Sequence, residues 1–129
     1  MDYLLPTDLD YCQSHEWVKE SEGIATIGIT DFAQAQLGEI VFIELPEEQR
    51  IVKANQECAV IESIKAASDI YAPLSGTIIE INKQIENNTG LLNDDPYGNG
   101  WLFKIKLDTP DELNSLLNAQ EYEMLIENN

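Results

Sequence analysis

Polar and apolar positions divide the first third of the chain into short strands. In QSHEWVKESEGIATIGI (13 to 29), the β-prone run Ile24, Ala25, Thr26, Ile27 and Ile29 follows Glu22-Gly23, where glycine permits a turn. The pattern predicts an opening hairpin. Thr30 then offers a hydroxyl as N-cap to DFAQAQL, and Gly38 stands where a helix end favours a left-handed residue, so a short helix is expected over 31 to 37. Strand patterns dominate after it.

The stretch GEIVFIE (38 to 44) matches GTIIEIN (76 to 82), with Ile40 aligned to Ile78, Val41 to Ile79 and Ile43 to Ile81. Each copy is followed by a turn-rich segment and a further strand candidate, QECAVIES (56 to 63) and GWLFKIKL (100 to 107). Two similar β units joined near 64 to 75 are one reading, and chance likeness between β-rich segments is the other. Cys58, Val60 and Glu62 alternate with Ala59, Ile61 and Ser63, and Ile70-Tyr71 resumes the β character before Ala72-Pro73 ends it. The IKAAS segment between them is too short for a helix and reads as a hairpin tip with Lys65 projecting into water.

The period changes near the C-terminus. Thr109-Pro110-Asp111-Glu112 has the form of a capping box with proline at the first helical position, followed by Leu113, Leu116 and Leu117 at helical spacing. Asn118 to Glu121 repeats the cap, and Tyr122, Leu125 and Ile126 form the next apolar face. Two short C-terminal helices are expected over about 109 to 127.

A length of 129 residues suits a single domain over 1 to 129 that buries a real core. Seven basic against twenty-four acidic residues give a net charge of −17, which would repel nucleic acid and anionic membranes and suits a carrier or adaptor meeting basic partners. The N-terminus MDYLLPTDLD lacks the basic-then-apolar pattern of a leader, and no stretch is long enough to span a bilayer. Cys12 and Cys58 are therefore expected as reduced thiols in a cytoplasmic protein.

The catalytic inventory is thin. His15 is the sole histidine, no CxxC motif exists, and nothing places Cys12 or Cys58 against a base, so neither a thiol enzyme nor a metal site is expected. The glycines of DPYGNGW read as turn residues, and Trp17 and Trp101 as packing groups. Lys65 remains. Its long stem could carry an acyl cofactor in amide linkage, Ala66 and Ala67 leave room beside it, and Glu62 and Asp69 form an acidic collar that a modifying enzyme could read. Such a tether turns encounters between active sites into local ones, at effective concentrations on the order of millimolar.

The segments SHEWV (14 to 18), GITDFAQ (28 to 34), LGEIVFIELPE (37 to 47), ESIKAASDIYAPLSG (62 to 76) and NDDPYGNGWL (93 to 102) together resemble the H protein of the glycine cleavage system, over nearly the whole chain from about residue 9. The resemblance implies a mainly β, lipoyl-domain-like sandwich of two antiparallel sheets with approximate two-fold symmetry, and lipoic acid in amide linkage on Lys65. It implies a non-catalytic, monomeric carrier. The arm would accept an aminomethyl group from the pyridoxal-phosphate glycine decarboxylase (P protein) and deliver it to the tetrahydrofolate-dependent aminomethyltransferase (T protein). Dihydrolipoamide dehydrogenase (L protein) would reoxidise it, and a lipoate ligase or lipoyl/octanoyl transferase would install it. By the same resemblance the loaded arm folds back into a cleft, where Glu16, Ser14 and Asp69 are acceptors suited to its ammonium.

The chain departs from that pattern at Gln49 and Asn55, where the family usually has glycine, and in NNTGLLND, which lacks a proline before its leucine. Asparagine tolerates a left-handed backbone, so Asn55 should keep its turn, whereas Gln49 suggests a reshaped loop. A biotin carrier would resemble Met-Lys-Met where this chain has Ile64-Lys65-Ala66. A lipoyl donor or platform for lipoylating other enzymes would use the same lysine, and an unmodified acidic β domain would use none.

Overall fold

A computed structural model of the chain describes residues 2–128. Its strands are β1 (Asp10–Tyr11), β2 (Glu16–Ser21), β3 (Ile24–Ile29), β4 (Ile40–Glu44), β5 (Ile51–Val52), β6 (Glu57–Ser63), β7 (Ala67–Tyr71), β8 (Gly76–Ile81) and β9 (Phe103–Leu107). The helices are α1 (Asp31–Leu37), α2 (Gln84–Asn87), α3 (Leu91–Asp94) and α4 (Ala119–Glu127), with a 3-10 helix over Pro110–Ser115. Among the described residues the strands form a six-stranded sheet in the order β1-β2-β3-β9-β8-β5 and a three-stranded sheet in the order β4-β6-β7, every pairing antiparallel. One apolar core takes Val18, Ile27 and Ile29 from the first hairpin, Ile43 and Ile61 from the small sheet, and Ile78 and Phe103 from the large one. The fold is the expected two-sheet β sandwich.

The opening hairpin forms where the pattern placed it. Glu22 and Gly23 join β2 to β3 with φ of 53° and 81°, the left-handed pair that matches strand twist in a two-residue hairpin loop. Gly28 lies opposite Trp17, and a Cβ there would come within 2.4 Å of the indole, so the buried ring needs glycine beneath it. Both tryptophans serve packing: Trp17 is buried and Trp101 half-buried.

The two repeated stretches become β4 and β8, and each pairs with the strand that follows its turn, β4 with β6 and β8 with β9. Both pairs bulge at the same point of the repeat, between Ile40 and Phe42 and between Ile78 and Glu80. A shared bulge at aligned positions supports a common unit over chance likeness. The units differ in exposure, for Val41 is exposed where Ile79 is half-buried, and the exposed Phe42 takes the place of the polar Glu80.

The structure corrects four expectations. The Gln49 loop is not reshaped: Gln49 adopts φ 74°, a conformation suited to glycine, and its N–H donates to the Ile78 carbonyl at 2.7 Å. Asn55 holds φ 71° as expected, donating to the Ala72 carbonyl at 2.7 Å. The Thr109 capping box does not form: the Glu112 N–H donates to the Thr109 carbonyl at 3.0 Å instead of its hydroxyl, and the Glu112 carboxylate is taken by the Ser75 N–H at 2.7 Å and the Ser75 hydroxyl at 2.9 Å. The first of the two C-terminal helices is therefore a 3-10 turn, after which Leu116 is extended and Leu117 bridges to Tyr11. Only the second capping box forms, Asn118 with Glu121, and it starts α4, which buries Tyr122 and Ile126 against Leu9, Tyr11 and Trp17. Alternation along β6 also breaks, since Glu57 pairs with Tyr71 and Ala59 with Ile70, leaving Cys58 as a bulge residue buried beside Ala59.

Helices α2 and α3, which no sequence pattern suggested, bury Ile85 and Leu92. Asn93 of α3 locks the corner between α1 and β4: its Oδ1 accepts the Ile40 N–H at 3.1 Å, and its Nδ2 donates to the Gly38 carbonyl at 2.8 Å and to Gln34 Oε1 at 3.0 Å. Among the described residues no helix is long and apolar enough to cross a membrane.

Candidate functional site

Lys65 is exposed at the tip joining β6 to β7, as the pattern predicted. Two-residue loops normally take left-handed residues, yet neither Ile64 nor Lys65 has a positive φ. Ser63 supplies what such a loop lacks. Its hydroxyl oxygen accepts the N–H groups of Lys65 and Ala66, both at 3.1 Å, and its own N–H donates to the Ala66 carbonyl at 2.8 Å. The Ile64 N–H donates to the Glu39 carbonyl at 3.0 Å, fastening the tip to the start of β4.

The lysine stem lies over Gly38, the residue that ends α1. A Cβ there would be 3.1 Å from Lys65 Cε and 3.6 Å from Nζ, and the backbone, at φ 78° and ψ −152°, is one that glycine alone adopts readily. Beside this corner a groove of about 350 Å³ runs between α1 and β7. Phe32, Ala33, Gln36 and Leu37 form its helical wall, Ile29 its floor, Ser68 and Ile70 the hairpin side, and Ser14 and His15 its far end. Thr30 caps α1 by accepting the Ala33 N–H at 3.1 Å, so the wall begins where the sequence placed it.

Glu16 lies beneath that end with 0% of its surface exposed. Its Oε1 accepts the Ser14 hydroxyl at 2.5 Å and its Oε2 the Tyr71 N–H at 3.2 Å. Burial pushes its carboxyl up to about 7, against the opposing pull of these donors. The exposed Ser14 therefore stands between the groove and a carboxyl whose burial favours its protonated form. Burial also raises both free thiols, Cys58 to about 12 and Cys12 further, which leaves them protonated and poor nucleophiles.

His15 takes φ 75°, which lets the chain reverse from β1 into β2 and turns Ser14 toward the groove; its N–H donates to the Cys12 carbonyl at 3.0 Å. Its Nδ1 is 2.7 Å from the Tyr122 hydroxyl, itself 2.8 Å from Thr30 Oγ1. Helix α4 thus braces both the groove end and the cap of α1. Burial lowers the His15 pKa, favouring the neutral ring.

Ser14 and Glu16 come together as expected. Asp69 and Glu62 are both exposed, and by register they lie on the outer face of the small sheet: Glu62 is opposite Phe42 and Ala67, and Asp69 opposite Val60. Ser68 and Ile70 project to the other face, so the structure does not place Asp69 on the groove wall with Ser14. Ser63, Gly38, Asn93 and the groove face of α1 were missed. The antiparallel repeat could have pointed to Gly38, since β4 begins where β6 ends.

The chain matches the family model described as glycine cleavage H-protein over residues 9–129. It is 54% identical over 123 residues to a glycine cleavage system H protein of Coxiella burnetii (strain Dugway 5J108-111), covering 95% of each chain. It is 52% identical over 120 residues to a probable glycine cleavage system H protein of Aeropyrum pernix, covering 93% of this chain and 84% of the relative. A crystal structure of a glycine cleavage system H protein from Mycobacterium marinum superimposes with a TM-score of 0.88 at 35% identity, covering 95% of this chain and 98% of that one.

Proposed function

The chain belongs to the glycine cleavage H-protein family and is a lipoyl carrier of the glycine cleavage system, and from that premise we propose that Lys65 is the residue to which its lipoyl group is joined in amide linkage. The observation that carries the assignment is an exposed lysine on a tip fixed by Ser63, with its stem over Gly38, which follows the groove-lining Leu37. The lipoyl group, once bound, supplies a disulfide that can accept the aminomethyl group of glycine and reducing equivalents.

The chain's own residues position and shelter that group. The apolar wall of α1, with Ile29 and Ile70, excludes water from an arm laid in the groove. At its end the Ser14 hydroxyl offers lone pairs to a cationic amine, and Glu16 responds through Ser14. A positive charge favours the ionised carboxylate, so an ammonium seated there would draw the Glu16 pKa down from its raised value. Asp69, exposed on the outer face of the small sheet, would form with Glu62 the collar read by the lipoylating enzyme.

The whole span acts as one non-catalytic lipoyl-binding domain, monomeric and cytoplasmic. It meets glycine decarboxylase, the tetrahydrofolate-dependent aminomethyltransferase, dihydrolipoamide dehydrogenase and a lipoate ligase or lipoyl/octanoyl transferase, each by a basic docking face. A net charge of −17 opposes binding to nucleic acid or anionic membrane. The test is isotope exchange between bicarbonate and the carboxyl carbon of glycine with glycine decarboxylase. The lipoylated chain should support exchange and Lys65→Arg should not. A fully lipoylated chain that supports none would contradict the role.

A further inference from the structure

Most large apolar side chains are buried, but three exposed ones gather beside the lysine tip. Val41 and Phe42 are each 49% exposed and Ile64 is 68% exposed. The bulge in β4 turns Val41 and Phe42 outward together, and Phe42 lies opposite Glu62 in register. Ile64 is held at the other end of the strip by its bond to the Glu39 carbonyl. The exposed carboxylates of Glu39, Glu44, Glu62 and Asp69 surround these three side chains. An apolar centre with a charged rim is how protein interfaces are built.

Given the attachment at Lys65 proposed above, on which this rests, we infer that Val41, Phe42 and Ile64 with their acidic rim form the docking surface for the lipoylating enzyme. That partner presents an apolar recess ringed by lysine or arginine. Two observations select it. The unmodified lysine is short, so an enzyme acylating Nζ must bring its active site down onto the tip and touch what adjoins it, whereas enzymes acting on the finished arm can stand further off. Apart from Lys65 itself, the charged residues of the rim are carboxylates, in a chain of net charge −17, which opposes a second copy of this chain and complements a basic partner. The bulge also disrupts β4 as a template for strand addition, although β4 is an edge strand.

The test compares the unmodified wild type with the double variant Phe42→Ser/Ile64→Ser, and with Ile51→Ser as a control on β5 of the other sheet, where Ile51 is 70% exposed. Lipoylation by a purified lipoate ligase is followed by intact mass, and affinity for the ligase by calorimetry. The double variant should keep its melting temperature, lose about tenfold or more in kcat/KM, mainly through KM, and bind correspondingly more weakly, while Ile51→Ser matches wild type. Glu62→Lys should weaken binding most at low salt. Wild-type rates in the double variant would overturn the inference, as would equal loss in Ile51→Ser. So would a wild-type dimer, seen by light scattering, that the double variant abolishes. A wild-type chain unmodified at Lys65 would defeat the attachment proposal itself, and the docking surface with it.

Discussion

Glu16 Oε2 accepts the backbone N–H of Tyr71, joining β2 of the large sheet to the strand that descends from the lysine tip. A buried carboxylate would ordinarily be a poor choice for this position. Here it fills the open edge of β7 and at the same time orients Ser14, so its desolvation cost is spent where the groove ends.

The Glu16 pair predicts a pH dependence. Its folded pKa is raised from 4.5 to about 7, so the folded state binds more protons between those values, and stability fully present below pH 4.5 is lost as pH rises through 7. The loss attributable to Glu16 is on the order of 3 kcal/mol. Glu16→Gln keeps an acceptor for Tyr71 and can donate to Ser14. Chemical denaturation at pH 4.5 and pH 8 should show the variant gaining on wild type as pH rises. Parallel profiles would remove Glu16 as the titrating group.

Gly38→Ala places a Cβ 3.1 Å from Lys65 Cε on a backbone that only glycine tolerates well. It should cost about 1–3 kcal/mol in stability. It should also displace the lysine stem, which the chemical shifts of the Lys65 Cε protons would register. An unchanged stability and spectrum would mean that the stem does not rest there.

Ser63→Ala removes the acceptor of two tip amides. At this surface site global stability should fall by less than about 1 kcal/mol. Amide exchange at Lys65 and Ala66 should quicken, and lipoylation slow. Unaltered exchange at both positions would show that the tip is held by other means.

How far the sequence revealed all this depended on the range of the contacts. Glu22-Gly23, the Thr30 cap, the Asn118 and Glu121 box and the lysine hairpin rest on residues a few positions apart, and each appeared as expected. Thr109 failed because Ser75, far along the chain, competes for Glu112. Gln49 failed as a signal because the Ile78 carbonyl holds its strained turn, and propensity alone does not see that partner. In the candidate site, the exposed lysine tip follows from the strand pattern, and Ser14 and Glu16, named by the family motif, are hydrogen-bonded to each other. Gly38 and Asn93 were not legible, since their roles exist only once α1, α3 and β4 meet.

Peptide mass spectrometry after expression with lipoate and a ligase addresses the attachment site most directly, because Lys19, Lys53, Lys83, Lys104 and Lys106 offer five other amines. A lipoyl increment confined to the peptide bearing Lys65, and absent from Lys65→Arg, is the expected result. An increment on another lysine, or on none, would contradict it.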